Sequence, residues 1–133
     1  MRFAIISTSL DPNSRSEKLA EDCRVYLTER GQEARLILLK DHPLPPFDNA
    51  TIFESEAYRF LHRAVSDADG LVLASPVYNW GCCAELKKFI EAVGSNPPDG
   101  SLRSALFDKV VTFVNSAGLP HSYMAFGGTA LSP

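Results

Sequence analysis

Leu71-Val72-Leu73-Ala74-Ser75-Pro76-Val77-Tyr78-Asn79-Trp80-Gly81, followed by Cys82 to Val93, decides how this chain folds. The run from Leu71 to Ala74 is apolar throughout, as a strand covered on both faces requires. It stops at Ser75-Pro76, and a loop follows that carries Tyr78, Asn79, Trp80 and Gly81. Leu86, Phe89, Ile90 and Val93 then recur at helical spacing. Strand, loop and helix in that order place the loop at the carboxyl end of a strand in a parallel α/β sheet, where ligands bind. The loop combines an aromatic face, an amide and a backbone bend, which suits a flat ring with polar edges.

The same alternation extends in both directions. Phe3 to Ile6 reads as a buried strand, and it opens into Ser7-Thr8-Ser9-Leu10-Asp11-Pro12-Asn13-Ser14-Arg15-Ser16, a loop with five hydroxyls, one Asn and one Arg. A helix is predicted from about Ser14, with Leu19, Cys23, Tyr26 and Leu27 as its apolar stripe and Gly31 as its end. Ala34 to Leu39 reads as the second strand. Lys40 to Asp48 contains three prolines and is expected to be an extended surface connection, with His42 solvated in it. A second helix is predicted over Ser55 to Ser66, with Tyr58, Leu61 and Val65 inward; the facing of Phe60 and His62 stays open. After the third strand and its helix, Ser95 to Gly100 is a turn-rich break. Leu102 to Phe107 is expected to be a short element and Lys109 to Val114 the fourth strand, which ends in Asn115-Ser116-Ala117-Gly118. Pro120 to Met124 could begin a further helix, which Gly127-Gly128 interrupts.

The order β-α-β-α-β-α-β with near-continuous apolar strands implies an α/β fold: a parallel, doubly wound sheet in three α/β/α layers. A single domain over residues 1–133 is expected from the length. In a flavodoxin-like sheet the strand order would be 2-1-3-4, with the fifth strand missing or incomplete here. The loops after strands one, three and four then converge at the switch point beside strand one.

Composition narrows the function classes. Apolar residues make up 45% and charged residues 22%, and the net charge is −3. No basic excess exists for a nucleic-acid surface. No run of about 18 apolar residues exists for a membrane span. The three cysteines, Cys23, Cys82 and Cys83, are an odd number, which argues against a disulfide framework and for a reducing cytoplasm. Cys82 and Cys83 are expected to be packing thiols at a helix start, with a redox or soft-metal pair as the alternative, and no further Cys or His at ligand spacing supports a metal site.

Together the three loops offer an anion cradle over Ser9 to Ser16, a platform over Pro76 to Trp80 and a small-residue loop over Ser116 to Gly118. Strand, polar loop and helix N-terminus hold a phosphate through free N–H groups and the helix dipole, and Arg15 adds charge. The same pattern also fits a plain capping cluster at Ser14 or Ser16. A ligand with a terminal phosphate and a planar heterocycle, such as flavin mononucleotide (FMN), would use all three loops.

These residues also carry a resemblance. Thr8-Ser9-Leu10-Asp11-Pro12-Asn13-Ser14 with Arg15 to Ala20 resembles the Gly-Ser-x-Arg-x-x-Ser phosphate loop and first helix of the NADPH-dependent FMN reductase family, of flavodoxin-like fold. Pro76-Val77-Tyr78-Asn79-Trp80-Gly81 with Leu86-Lys87 resembles that family's Pro-Glu-Tyr-Asn-Gly-Ser loop, and Ser116-Ala117-Gly118 its Ser-x-Gly. The resemblance implies that Ser9 and Ser14 bind the FMN phosphate, with Ser16 in the place of a helix-start Asn. It implies that Pro76, Tyr78 and Asn79 line the ribityl chain and ring, and that Ser116 and Gly118 approach the pyrimidine end. Val77 stands where the family has Glu, Trp80 where it has a small Gly, and Asp11 where it has Arg, so that Arg15 would supply the charge. The implied activity is hydride transfer from NAD(P)H to FMN and on to a small-molecule acceptor: a quinone, azo compound, metal species or flavin. The family continues through a fourth helix and fifth strand beyond the pattern read here. The fourth strand would then be an edge, covered by a partner subunit in a homodimer or homotetramer, or left open in a truncated form that binds flavin weakly or not at all. A flavodoxin-type electron carrier would bind FMN without oxidising NAD(P)H, and a flavin-free interaction module would take up no flavin.

Overall fold

Among the described residues, four parallel strands form the core of the sheet, and every one ends at the same edge. The computed structural model describes residues 1–120 and Ser122. In chain order the elements are β1 (Arg2–Ser7), α1 (Arg15–Glu29), β2 (Glu33–Leu38), α2 (Glu56–Ser66), β3 (Gly70–Tyr78), β4 (Gly81–Cys82), α3 (Ala84–Gly94) and β5 (Val110–Ser116). β1 pairs in parallel with β2 and β3, and β3 pairs in parallel with β5, so the parallel order is β2-β1-β3-β5. This is the expected flavodoxin-like order, shifted in number because the two-residue β4 intervenes in the chain.

The layers follow from the period-2 alternation of the strands. Ile5, Val72 and Ala74 face α1 and pack with Ala20. Ala4, Ile6, Leu71 and Leu73 face the other way, onto Tyr58, Leu61, Val65, Leu86, Phe89 and Val93 of α2 and α3. Tyr58 and Phe89 are among the largest fully buried side chains; a side chain of that size contributes about 1.5–3 kcal/mol by leaving water.

Several boundaries move from the sequence expectation, each for a physical reason. The face of α1 against the sheet is Ser16 and Ala20, with Cys23 and Leu27 half-buried, whereas the expected stripe members Leu19 and Tyr26 are 38% and 55% exposed. The small residues let the helix approach β1 and β3, and Tyr26 lies under the Arg30 guanidinium at 3.4 Å instead. β2 begins and ends one residue earlier than expected, at Glu33 and Leu38. β3 runs on through Pro76 to Tyr78. Its pairing with β1 ends at Ala74, so the missing N–H of Pro76 costs no bond on that side. β5 likewise extends to Ser116, paired with Pro76. Leu102 to Phe107 is neither helix nor strand; it is held by the Ala105 N–H donating to the Val93 carbonyl at 2.8 Å. His62 faces inward, its Nε2–H donating to the Arg103 carbonyl at 2.8 Å. His42 is half-buried and stacks on Phe60 with centroids 4.1 Å apart, so it is not the solvated histidine the proline-rich context suggests. Beyond Pro120 and Ser122, the expected helix to Met124 lies outside the described residues.

Candidate functional site

The loop after β1 is shaped by its own polar side chains. The Asp11 N–H donates to Ser9 Oγ at 3.1 Å, and the Asn13 N–H donates to Asp11 Oδ1 at 2.8 Å, an Asx turn. The Ser14 N–H closes the turn onto the Asp11 carbonyl at 3.2 Å. Ser14 then caps α1: its Oγ accepts from the Glu17 N–H at 3.0 Å and lies 2.9 Å from Ser16 Oγ. The amides of Arg15 and Ser16 belong to the first turn, where a helix has no acceptor of its own. Among the described residues they have no partner. Two free N–H groups at the positive end of a 15-residue helix therefore stand beside Arg15.

The stretch after β3 is a hairpin, not an open loop. Val77 pairs with Cys82 and Tyr78 with Gly81, antiparallel, which leaves Asn79-Trp80 as a two-residue turn. Both have positive φ, 52° and 64°, as a type I′ turn demands. Asn tolerates this backbone; a Trp with its Cβ does so at a cost. Tyr78 and Trp80 are 52% and 54% exposed, so the hairpin presents two aromatic faces to solvent.

A buried polar knot fixes these two structures to each other. The Thr8 hydroxyl donates to the Ala74 carbonyl at 3.0 Å, which leaves its oxygen to accept from the Cys83 thiol at 3.2 Å. Cys83 Sγ also lies 3.4 Å from Ser75 Oγ. Cys83 is the N-cap residue of α3 and is buried, so one thiol joins the ends of β1 and β3 to the start of α3.

Between the two structures lies a cleft of about 200 Å³ at the carboxyl edge of the sheet. Its lining contains Ser9, Ser14, Arg15 and Ser16 from the first loop, Pro76, Val77 and Tyr78 from β3, and Ser116, Ala117 and Gly118 from the end of β5. The three sequence-predicted loops thus meet in one place. Asn79 and Trp80 are not in the lining; the tightness of the turn carries them to the hairpin tip. Asp11 and Asn13 do line the cleft and were absent from the predicted set, although the Asp-Pro-Asn-Ser turn signature was there to be read. Nothing in the sequence marks Cys83 as the joint, because its partners lie 8 and 75 residues away. Larger hollows, about 560 Å³ beside His42 and about 460 Å³ beside Tyr58, do not border the three loops. No helix among the described residues is long and apolar enough to cross a membrane.

Comparison with known proteins agrees with this geometry. The family model for NADPH-dependent FMN reductase matches residues 1–126. An FMN reductase (NADPH) of Pseudomonas putida is 32% identical over 91 residues, covering 68% of this chain and 46% of that protein. An FMN-dependent NADH:quinone oxidoreductase of Bordetella petrii is 32% identical over 108 residues, covering 68% of this chain and 52% of that protein. The chain spans about half the length of these curated relatives. Among solved structures, the flavoenzyme NAD(P)H:(acceptor) oxidoreductase FerB of Paracoccus denitrificans superposes with a TM-score of 0.78 at 18% identity, over 96% of this chain and 68% of that one. The apo form of an NADH:FMN oxidoreductase (EMOB) superposes at 0.73 and 24%, over 98% of this chain and 65% of that one. These two likenesses show the flavodoxin-like fold. With its family match over nearly the whole length, the chain belongs to the NADPH-dependent FMN reductase family.

Proposed function

We propose that the cleft between α1 and the β3–β4 hairpin holds FMN and that the protein is an NAD(P)H-dependent oxidoreductase acting on small-molecule acceptors, within one FMN-binding domain over residues 1–133. The observation that carries this reading is the pair of unpartnered amides, Arg15 and Ser16, on one wall of a cleft whose other wall is Pro76 to Tyr78.

The residues fit the group. A phosphate needs donors, and the cradle offers two amides, the hydroxyls of Ser9, Ser14 and Ser16, and the Arg15 guanidinium. A Cβ added at Gly118 would meet nothing within 4 Å. Among the described residues nothing fills that space, which leaves the backbone open to close approach by a ligand. Ser9, Ser14, Arg15 and Ser16 would hold the phosphate. Pro76, Val77 and Tyr78 would line the ribityl chain and one ring face, with Asn79 and Trp80 at the rim. Ser116, Ala117 and Gly118 would stand at the pyrimidine edge, where backbone and hydroxyl donors favour negative charge on a ring.

Bound FMN would supply the redox chemistry, taking a hydride from NAD(P)H and passing electrons to a quinone, azo, metal or flavin acceptor. The chain's own task is to orient the ring and keep one face open; no side-chain acid or base is needed. The unpaired cysteines suit a reducing cytoplasm. The far edge of β5, unpaired among the described residues, suits a homodimer or homotetramer. The visible spectrum of the purified protein tests the reading. A yellow protein that bleaches on anaerobic addition of NADPH is expected. Yellow without bleaching would point to an electron carrier, and no colour even with added FMN would end both flavin readings.

A further inference from the structure

The cleft contains one group that phosphate binding does not call for: the Asp11 carboxylate. We propose that Asp11 sets flavin selectivity by offsetting Arg15, so that the cleft's preference for FMN over flavins lacking a terminal phosphate is narrowed. The proposal rests on the FMN reading of the cleft and deepens it.

Among the described residues, Asp11 and Arg15 are the two charged members of the lining. One is a carboxylate and the other a guanidinium, so the side-chain charge of the described lining sums to zero. The carboxylate is also held in place. Its Oδ1 accepts from the Asn13 N–H at 2.8 Å, its own N–H donates to Ser9 Oγ at 3.1 Å, and its carbonyl accepts from the Ser14 N–H at 3.2 Å. One bond to the carboxylate and two to the Asp11 backbone tie the residue into a tight turn on the wall of the cleft.

What remains in the cradle is a set of neutral donors. The amides of Arg15 and Ser16 and the seryl hydroxyls bond a phosphate oxygen more strongly than a neutral hydroxyl oxygen, and the Asp11 carboxylate offsets part of that gain. A cradle built for phosphate alone gains from excess positive charge, whereas this one has a like charge opposing the phosphate. At separations of about 6 Å and an intermediate dielectric, each like unit charge is worth about tenfold in affinity. The neutral tail of riboflavin does not meet that penalty.

The test is a pair of fluorescence-quenching titrations, FMN and riboflavin, on the flavin-free protein. Asp11→Asn keeps the oxygen that accepts from Asn13, so the turn survives while the charge is lost. Asp11→Asn is expected to raise the FMN-to-riboflavin affinity ratio by about tenfold or more. FMN binding to Asp11→Asn should also weaken more steeply with added salt than in the wild type, a response that a purely structural role for Asp11 would not alter. Arg15→Gln should move the ratio in the opposite direction, which keeps the test decisive if Asp11→Asn fails to fold. A ratio that ignores both substitutions would overturn the proposal while leaving FMN binding intact. Failure of the wild type to bind either flavin would overturn the FMN reading and this proposal with it.

Discussion

Ser14 has two tasks in this account, and one substitution separates them. Its Oγ caps α1 by accepting from the Glu17 N–H at 3.0 Å, and it lines the cleft proposed to hold the FMN phosphate. Asp caps a helix about as well as Ser, and a negative charge at a helix N-terminus adds about 0.3–1 kcal/mol. Ser14→Asp is therefore expected to leave the flavin-free protein as stable as the wild type, or slightly more stable. The same carboxylate would sit against a phosphate. Two unit charges 4 Å apart repel by about 1 kcal/mol in water and about 4 kcal/mol near a protein surface. With a phosphate charge near −2, at least about 2 kcal/mol is lost, or about thirtyfold in FMN affinity. Ser14→Ala gives the converse. It loses the cap, about 1 kcal/mol, and one hydrogen bond to a charged group, about 1.5–3 kcal/mol of binding. Urea denaturation without flavin gives the first quantity, and FMN titration gives the second. Wild-type FMN affinity in Ser14→Asp would refute the placement of the phosphate.

Three further outcomes follow from the geometry. Asn79→Val places a β-branched residue at φ 52° in a type I′ turn, and urea denaturation should show a loss of about 1 kcal/mol or more. Cys83→Ala removes the thiol within reach of Thr8 and Ser75. It should cost about 1 kcal/mol in the same assay, with Cys83→Ser recovering part of the loss. Asp48 accepts from Thr51 Oγ1 and from the Ala50 and Ile52 amides, and these bonds hold its carboxyl below the usual carboxylate range. Its folded pKa is depressed, so its contribution is full above about pH 4 and is lost as pH falls below that. Acid titration should show less loss below pH about 4 in Asp48→Asn than in the wild type.

The fold was legible because its signals are local and periodic. Phe3 to Ile6 and Leu71 to Ala74 are apolar runs that only a doubly covered strand explains, and Ser14, Gly31 and Ser55 punctuate the helices where capping chemistry puts them. The convergence of the three loops was legible too, because it follows from topology rather than from any one contact. Less visible was whatever depends on facing and on partners distant in sequence. Leu19 and Tyr26 fit an apolar stripe as well as Ala20 does, and the periodicity does not say that the sheet selects the small row. The positive φ of Trp80 has no propensity behind it, and it turned an expected loop into a hairpin whose tip leaves the cleft. Cys83 looked like a packing thiol; it packs, but it also bonds to residues that only the folded chain brings near.

The central claim is that the phosphate sits on the amides of Arg15 and Ser16 while the ring lies against Pro76 to Tyr78. An NMR titration of the ¹⁵N-labelled protein with FMN tests it most directly. The account predicts that the Arg15, Ser16, Tyr78 and Gly118 amides shift, whereas Glu33 and Ala68, at the opposite edge of the sheet, stay in place. Shifts confined to other surfaces, with Arg15 and Ser16 unmoved at saturating FMN, would contradict it.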